Sequence, residues 1–324
     1  MHSDLPLEDL RTYRPEVAEP ADFDTFWSDT LAAARSTSST ATAVPAHTPL
    51  TTLTVQDVTF PGFGGDPVRA WFLRPPGEEP LPCVVEFLGY GGGRGVAHER
   101  LSWGSAGFAH LVMDTRGQGS GWGSGGATAD PHGSGPAFPG FMTRGIQSPQ
   151  TYYYRRLMTD AVRAVDYALS RPDVRADQVA VEGTSQGGGL ALAAGALHGR
   201  VAAVLSHVPF LCHFARALSC TDAFPYQEVV AHLAVHRGTE EQVLRTLSYV
   251  DGVNMARRIS CPALVSVALM DQTCPPSTVF AAINHLGVTP TVEVYPYNRH
   301  EGGEAEQWGR SVAWLRGVLA DANN

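Results

Sequence analysis

A serine stands between two glycines in a pattern that is typical of an activated nucleophile. Residues 183–187 read Gly-Thr-Ser-Gln-Gly, a G-x-S-x-G motif with Ser185 at its centre. A β-branched run at 179–181 precedes the motif, and an Ala- and Leu-rich helical segment follows it. A strand, a tight turn and a helix in this order form the nucleophile elbow, which holds the serine Oγ exposed above a sheet. Ser185 is therefore the candidate nucleophile, and an ordinary glycine-rich turn is the alternative interpretation.

A serine hydroxyl needs a base and a carboxylate before it can attack a carbonyl carbon at neutral pH. In the fold that contains the nucleophile elbow, the chain order is Ser, then Asp or Glu, then His. Asp271 follows a predicted strand at residues 263–269, and His300 follows a predicted strand at residues 291–295. Side chains at the carboxyl ends of parallel strands meet in one crevice. We therefore predict a catalytic triad of Ser185, Asp271 and His300.

An acyl-transfer site also needs N–H donors for the oxyanion that forms during attack. In this fold the residue after the nucleophile, here Gln186, supplies one backbone N–H. The glycine-rich loop 89–95 follows a predicted strand at 82–88 and places Tyr90 where the second N–H is expected. The loop also suggests a nucleotide site, but Arg94 stands where G-x-G-x-x-G requires its third glycine. We therefore predict that the backbone of Tyr90 and Gln186 forms an oxyanion hole.

Alternating strand and helix patterns surround these residues and predict an α/β fold of the α/β-hydrolase type. Such alternation indicates a mostly parallel sheet with helices on both faces. The predicted strands are at residues 53–60, 68–73, 82–88, 108–114, 179–181, 201–207, 263–269 and 291–295. The predicted helices are at residues 23–34, 155–170, 277–286 and 304–319, besides the one after the motif.

The chain is predicted to form a single α/β-hydrolase domain over residues 1–324. Residues 1–50 are an N-terminal extension, in which 36–49 is a linker rich in Ser, Thr, Ala and Pro. Residues 208–259 interrupt the alternation and are expected to form a helical cap inserted into the domain. The long Gly- and Pro-rich loop 123–150 is expected near the mouth of the site.

Composition excludes several other classes of function. The net charge of −9 disfavours nucleic acid or an anionic membrane as a partner. No apolar run approaches the ~20 residues of a membrane span, and no signal peptide is visible. Five scattered cysteines without a C-x-x-C pair predict neither a disulfide framework nor a zinc site, and His98 lacks the second histidine of an H-E-x-x-H helix. No metal or cofactor is therefore predicted, and the cytoplasm is the expected location.

Several segments together resemble carbohydrate esterase family 7, the acetyl xylan esterase and cephalosporin C deacetylase group of the α/β-hydrolases. The likeness covers nearly the whole chain. Its most specific part is Arg116-Gly-Gln118 in combination with Ser185-Gln186 and His300-Glu301. The other matching segments are residues 84–95, 113–122, 140–145, 183–189, 208–214, 270–280 and 296–303.

This resemblance implies the same triad and the same oxyanion donors that the residues themselves predict. It also implies an acyl pocket that admits acetyl and excludes long chains, with Tyr90, Phe210, Pro225 and Thr273 at the matching positions. Thr273 departs from the family, in which a branched apolar residue is expected. The implied activity is removal of acetyl groups from small O-acetylated sugars, xylo-oligosaccharides and cephalosporin C. The implied assembly is an intracellular homohexamer.

Two other functions stay open at this point. A peptidase or short-chain lipase would use the same triad on a different acyl substrate. A non-catalytic binding protein with an α/β-hydrolase fold usually lacks one member of the triad, whereas all three are present here.

Overall fold

The computed structural model describes residues 4–133 and 135–321, and its centre is a nine-stranded sheet. The strands are β1 (Thr42–Pro45), β2 (Thr54–Pro61), β3 (Pro67–Arg74), β4 (Leu81–Phe87), β5 (Ala109–Met113), β6 (Val174–Thr184), β7 (Ala203–His207), β8 (Ala263–Ala268) and β9 (Thr291–Tyr295). They lie in the order β1-β2-β3-β5-β4-β6-β7-β8-β9. In this order, neighbouring strands from β1 to β5 pair antiparallel. Neighbouring strands from β5 through β4 to β9 pair parallel. The predicted mostly parallel sheet is confirmed.

Helices cover both faces of this sheet, as the alternation predicts. They are α1 (Leu7–Thr12), α2 (Phe23–Arg35), α3 (Ser102–Ser105), α4 (Tyr153–Ser170), α5 (Gln186–Leu197), α6 (Phe214–Cys220), α7 (Tyr226–Val235), α8 (Glu240–Ser248), α9 (Gly252–Ala256), α10 (Pro276–Ile283) and α11 (Glu304–Asp321). The core of one face contains α4, α5, α9 and α10, and that of the other contains α3 and α11. Within the described ranges, no helix has both the length and the apolar composition to cross a membrane.

Strand β6 shows why the central strands are apolar without alternation. Val179 and Val181 lie in the core shared with α4 and α5, whereas Ala180 lies in the core shared with α11. Because both faces of the sheet are covered, successive side chains are all buried, and a continuous apolar run is favoured.

The structure differs from the sequence prediction mainly in its short and edge elements. Strand β1 forms inside the predicted linker 36–49 and pairs with β2 at the edge of the sheet. All of its residues are exposed, so no apolar pattern marks it. Strand β6 begins at Val174, five residues before the predicted strand 179–181. Its first part has no continuous apolar run, because exposed Arg175 and Asp177 alternate with more buried residues. Helices α1 and α3 have only 6 and 4 residues, which is too short for helical periodicity to show.

Four helices, α6 to α9, lie between β7 and β8 in the chain, within residues 208–259. The buried carboxylate of Asp251 joins the two ends of this segment. It accepts the backbone N–H groups of His213 at 2.9 Å, Phe214 at 3.0 Å and Val253 at 2.9 Å. Burial raises the pKa of Asp251 to about 6 although these N–H groups favour its charged form. The segment is thereby fastened close to the end of β7, beside the elbow.

Candidate active site

Ser185 lies in a strained turn between β6 and α5. Its backbone φ of 60° and ψ of −120° fall in a region that residues other than glycine rarely adopt. A Cβ at Gly183 would collide with the backbone of Gly187, and a Cβ at Gly187 would collide with the carbonyl of Phe87. The strand and the helix approach this closely because both positions are glycine. Residues 183–187 thus form the strand, turn and helix that the motif predicts.

The three residues of the predicted triad lie in hydrogen-bond contact. His300 Nε2 is 2.9 Å from Ser185 Oγ, and His300 Nδ1 is 2.8 Å from Asp271 Oδ2. At these distances the imidazole can take the hydroxyl proton while the carboxylate orients the ring. Asp271 is buried, whereas Ser185 and His300 are partly exposed. The fold therefore brings together residues that are up to 115 positions apart in the chain.

The loop after β8 holds the carboxylate of Asp271 in place. Its Oδ1 accepts the backbone N–H groups of Thr273 at 2.8 Å and Cys274 at 3.0 Å. Its Oδ2 is left to accept a hydrogen bond from His300. Because one oxygen is fixed by the backbone, the other keeps a constant direction toward the imidazole.

The loop after β9 holds His300 through its neighbour Glu301. The Glu301 carboxylate accepts the side-chain amide of Asn298 at 2.8 Å and the backbone N–H of Arg299 at 3.0 Å. The carbonyl of Asn298 also accepts the N–H of Met270 at 3.1 Å, which joins this loop to the one that contains the acid. Glu301 was recognised from the sequence only as part of a motif, and the fold shows that it closes this turn.

Tyr90 and Gln186 carry the backbone N–H groups predicted for the oxyanion hole. Gln186 is the first residue of α5, so its N–H has no partner inside the helix. Tyr90 lies in the loop after β4 and lines the same cleft as Ser185. Neither N–H donates a hydrogen bond to another atom of residues 4–133 and 135–321. A hydroxyl nucleophile beside two such donors is an arrangement that can carry out acyl transfer.

Two buried side-chain amides connect the loop after β4 to the elbow. Gln118 accepts the Gly91 N–H at 2.6 Å and donates to Gln186 Oε1 at 3.0 Å. Gln186 in turn donates to the carbonyl of Leu88 at 3.2 Å. The loop is therefore held on both sides of Tyr90. Both glutamines belong to motifs on which the resemblance rests, but only the fold shows that they touch.

Arg116, from the same motif as Gln118, is fully buried among three carboxylates. It donates to both oxygens of Asp160, and it contacts Asp66 at 3.0 Å and Asp130 at 3.3 Å. Burial alone would lower the pKa of Arg116, but the Asp160 carboxylate and its neighbours raise it. These partners come from α4, from the turn between β2 and β3 and from the long loop, so Arg116 fastens that loop to the sheet. No sequence spacing identifies them.

A cleft of about 390 Å³ opens above Ser185. It is lined by Gly89, Tyr90, Trp122, Thr184, Ser185, Phe224, Pro225, Thr273 and His300. Three of the four residues expected in an acyl pocket line this cleft, namely Tyr90, Pro225 and Thr273. Trp122 and Phe224 were not predicted, although Trp122 ends the matching segment 113–122 and Phe224 directly precedes Pro225. Both are exposed at the mouth, and Trp122 donates to the carbonyl of Tyr90 at 2.7 Å.

Phe210, the fourth residue expected in the acyl pocket, lies beneath the cleft. It is fully buried and is not part of the lining of the cleft. Its ring centre lies 6.4 Å from that of Tyr90 and 4.4 Å from that of Tyr226. Its backbone N–H donates to the carbonyl of Ser185 at 2.9 Å, which keeps it beneath the elbow. Phe210 therefore packs behind Tyr90, and its place in the acyl pocket stays a prediction.

The Tyr90 hydroxyl is tied to a buried carboxylate. It donates to Glu228 and accepts the backbone N–H of Phe141 at 2.6 Å. Glu228 also accepts the N–H of Met142 at 3.0 Å. Burial raises the pKa of Glu228, and burial together with the Glu228 carboxylate raises the pKa of Tyr90. Helix α7, the long loop and the loop after β4 therefore meet at this ring and fix its position.

One group of possible metal ligands is found among the described residues, and it overlaps the triad. The ligand atoms of Asp271, Cys274 and His300 lie within 4.8 Å of one another. The carboxylate and the imidazole are already hydrogen-bonded, and the other imidazole nitrogen contacts Ser185. An ion held here would replace the proton between Asp271 and His300 and would remove the base. The donor set fits a proton relay better than a metal centre.

Comparison with known proteins supports one family across the chain. Residues 1–318 match the family model of acetyl xylan esterase (AXE1). The solved acetyl xylan esterase from Paenibacillus sp. R4 is 40 % identical, with a TM-score of 0.90 over 98 % of this chain and 99 % of that one. Acetyl xylan esterase 1 from Thermoanaerobacterium sp. JW/SL YS485 is 32 % identical, with a TM-score of 0.90 over 97 % and 99 % of the two chains.

This chain covers less than half the length of two further proteins to which it is similar. Acetyl esterase Axe7A from Xylanibacter ruminicola is 33 % identical over 162 residues, which are 50 % of this chain and only 36 % of that longer protein. Acylaminoacyl peptidase from Pyrococcus horikoshii is 14 % identical, with a TM-score of 0.59 over 84 % of this chain and 41 % of that one, and it shows the fold alone. The predicted α/β-hydrolase fold and the resemblance are confirmed. The chain belongs to the acetyl xylan esterase family, a family of carboxylic ester hydrolases.

Proposed function

We propose that this protein is a serine esterase that hydrolyses acetyl esters of small O-acetylated carbohydrates, especially xylo-oligosaccharides, and of cephalosporin C. The observation that carries the proposal is the line of hydrogen bonds from Asp271 through His300 to Ser185 at the cleft. Membership of the acetyl xylan esterase family supports acetyl as the acyl group.

The reaction would proceed through an acetyl-enzyme. Ser185 Oγ attacks the acetyl carbonyl carbon while His300 Nε2 takes the hydroxyl proton. The N–H groups of Tyr90 and Gln186 donate to the oxyanion of the tetrahedral intermediate. His300 then returns the proton to the sugar oxygen, the ester C–O bond breaks, and the acetyl group stays on Ser185. A water molecule activated by the same imidazole attacks the acetyl-enzyme and releases acetate, while Asp271 orients the ring throughout.

The residues that line the cleft favour a substrate with a small acyl group. Tyr90 and Pro225 line the cleft, and Phe210 lies behind Tyr90. The Tyr90 hydroxyl is held by Glu228 and by the N–H of Phe141, so its ring cannot easily turn aside for a long chain. We therefore expect acetyl esters to be preferred over longer ones.

Relative rates on three chromogenic substrates test the acyl preference. Hydrolysis of p-nitrophenyl acetate should exceed that of p-nitrophenyl octanoate and of an aminoacyl p-nitroanilide by about 100-fold or more in kcat/KM, as expected for a site that cannot hold the larger groups. A faster octanoate would indicate a lipase, and a faster anilide would indicate a peptidase. Ser185→Ala should abolish both hydrolysis and labelling by a fluorophosphonate probe. A wild-type protein that is not labelled would favour a non-catalytic binding protein.

A second panel identifies the alcohol part of the substrate. Acetylated xylobiose and cephalosporin C should both release acetate, and their kcat/KM values rank the two classes. If neither compound releases acetate while p-nitrophenyl acetate is still hydrolysed, the protein is an esterase that acts on acetyl esters of another alcohol.

We also propose that the enzyme acts in the cytoplasm, on imported oligosaccharides, and as a homohexamer. All five cysteines are free thiols, which supports a reducing compartment. The hexamer rests on the family resemblance. Analytical ultracentrifugation should give a mass six times that of one chain, and a monomer would contradict it.

A further inference from the structure

A second cavity, of about 200 Å³, lies beside the cleft and shares Thr184 with it. We call it the polar cavity, and its floor includes Glu86, His110, Glu182 and His207. We propose that the polar cavity binds the sugar ring of the ester substrate and accepts neutral polyhydroxylated ligands of about pentose size. This inference rests on the proposed function, because it assigns the sugar part of that substrate.

Four neighbouring strands supply the floor of the polar cavity. Glu86 on β4 and Glu182 on β6 are partners in the sheet register, so both side chains lie on the face covered by α11. His110 on β5 pairs with the residue two before Glu86, and His207 ends β7, so they lie on that face too. Toward the amino ends of these strands the same face is apolar core. Glu86, Glu182 and His207 therefore lie toward the carboxyl ends of their strands, where ligands bind in open α/β folds, and His110 lies next to Glu86, nearer the amino end of β5.

The polar cavity has more polar atoms than the chain satisfies. Within residues 4–133 and 135–321, the Nδ1 atoms of His110 and His207 have no hydrogen-bond partner, although these residues are only 1 % and 5 % exposed. Arg100 Nε and Trp308 Nε1, from residues that also line the cavity, likewise lack a partner there. A buried polar atom without a partner costs about 1–3 kcal/mol. Four such atoms around one cavity require hydrogen-bonding partners, which water or a ligand with several polar groups can supply.

The carboxylates of the floor supply acceptors beside these groups. Glu86 lies 3.1 Å from Arg100 and 2.8 Å from His110 Nε2. Burial alone would raise the pKa of Glu86, but hydrogen bonding and charge from His110, with Arg100, lower it, so this carboxylate is ionised at neutral pH. Glu182 accepts the indole N–H of Trp103 and lies 3.6 Å from His207. Each carboxylate has about four acceptor positions, so both can accept further hydrogen bonds.

The mixture of groups selects a neutral ligand over a charged one. A phosphate or carboxylate would meet Glu86 and Glu182, and an amine would meet Arg100. The described residues of this cavity also do not include three metal ligands close enough to share one ion. Hydroxyl groups can donate to the carboxylates and accept from the Arg100 and Trp308 N–H groups. A polyhydroxylated ring satisfies both sets at once.

The size and position of the polar cavity fit one sugar ring of the substrate. A volume of about 200 Å³ equals that of about seven water molecules at ~30 Å³ each, which is close to a pentose ring with its hydroxyls. Thr184 immediately precedes the nucleophile, and Glu301, which follows the base, also lines the polar cavity. A sugar seated there would present an acetylated hydroxyl across Thr184 to Ser185.

Blocking the polar cavity from outside tests the proposal. Ser102 is exposed and lines the cavity at the first turn of α3, so Ser102→Phe places a bulky ring there without removing a buried charge. Ser105→Phe, at an exposed position of the same helix that does not line the cavity, is the matched control. The ratio of kcat/KM for acetylated xylobiose to that for p-nitrophenyl acetate should fall about ten-fold in Ser102→Phe, as for the loss of one or two hydrogen bonds. Glu86→Gln, which preserves side-chain volume, should lower the same ratio through KM. An unchanged ratio in both Ser102→Phe and Glu86→Gln would overturn the proposal.

Direct binding separates this inference from the proposed function. Xylobiose is titrated into Ser185→Ala, observed by saturation-transfer NMR, alone and combined with Ser102→Phe or Ser105→Phe. We expect binding to be lost with Ser102→Phe and kept with Ser105→Phe. Absence of binding to Ser185→Ala, or equal binding in both double variants, would overturn the sugar site even if the esterase is active. Binding with the expected pattern, in a protein that hydrolyses no acetyl ester, would support the site and refute the proposed function.

Discussion

Replacing Gln118 by methionine tests whether the buried amides position the oxyanion loop. Methionine is of similar length and adapts to its surroundings, so the change removes polar atoms without opening a large cavity. The change deletes the acceptor of the Gly91 N–H at 2.6 Å. It also deletes donors to Gln186 Oε1 and to the hydroxyl of Tyr153, each at 3.0 Å.

The magnitudes follow from these contacts. Two side-chain hydrogen bonds at about 1 kcal/mol each, and a half-buried Gly91 N–H left without an acceptor at about 1–3 kcal/mol, lower the free energy of unfolding by about 3–5 kcal/mol. The rate should respond as well, because Gly91 follows Tyr90, whose backbone N–H we propose as a donor to the oxyanion. Loss of one oxyanion donor lowers kcat about 10²–10³-fold, and a displaced donor retains part of its effect, so we expect about a 10–100-fold decrease in kcat. KM for p-nitrophenyl acetate should change much less.

The assay combines steady-state kinetics on p-nitrophenyl acetate with urea unfolding. Gln178→Met is the matched control, since Gln178 is 4 % exposed and Gln118 is 7 % exposed, but Gln178 lies toward the opposite end of β6 from Ser185. The control should keep kcat within about two-fold of the wild type. If Gln118→Met loses the calculated stability and yet keeps kcat within that range, the amides hold only the fold. The reasoning about the oxyanion loop would then be wrong.

Three further predictions concern the acid, the elbow and pH. Asp271→Asn should lower kcat by about 10³–10⁴-fold, since the amide cannot stabilise the imidazolium, and a decrease below ten-fold on p-nitrophenyl acetate would contradict its role. Gly187→Ala puts a Cβ against the carbonyl at the end of β4, so the melting temperature of this variant should fall and its activity should be lost. The control Gly199→Ala has open space around the new Cβ and should resemble the wild type. Burial, with nearby positive charges, lowers the pKa of His213 from 6.5 to about 4, so the unfolded chain binds more protons between these values. The free energy of unfolding should therefore fall as the pH drops through this window, and urea titrations should show a weaker dependence for His213→Gln.

The triad was accessible from the sequence because independent constraints act along the chain. The motif at 183–187 identifies Ser185, the chain order restricts the acid and base to later positions, and the strand ends select Asp271 and His300. None of these constraints needs a distance between remote residues. The structure places all three in contact, and it adds the turn closed by Glu301, for which the sequence offers only a motif.

Residues whose place depends on packing could not be located in this way. Phe210 was expected in the pocket wall, but whether an aromatic ring faces a cleft or the layer beneath it depends on neighbouring elements. The carboxylates around Arg116 come from three separate segments, and no spacing rule relates them. The polar cavity is a similar case, because its floor combines one side chain from each of four strands.

By itself the sequence determined the α/β alternation, the strand–turn–helix around the predicted nucleophile and which residues are predicted to be the acid and the base. These features follow from local periodicity, backbone geometry and chain order, all of which are properties of short segments. Only the tertiary structure decided which aromatic rings line the cleft, which carboxylates surround Arg116 and where unpartnered polar atoms gather beside Thr184. Those features depend on how side chains from distant segments share one small volume, and that arrangement is settled by packing of the whole chain.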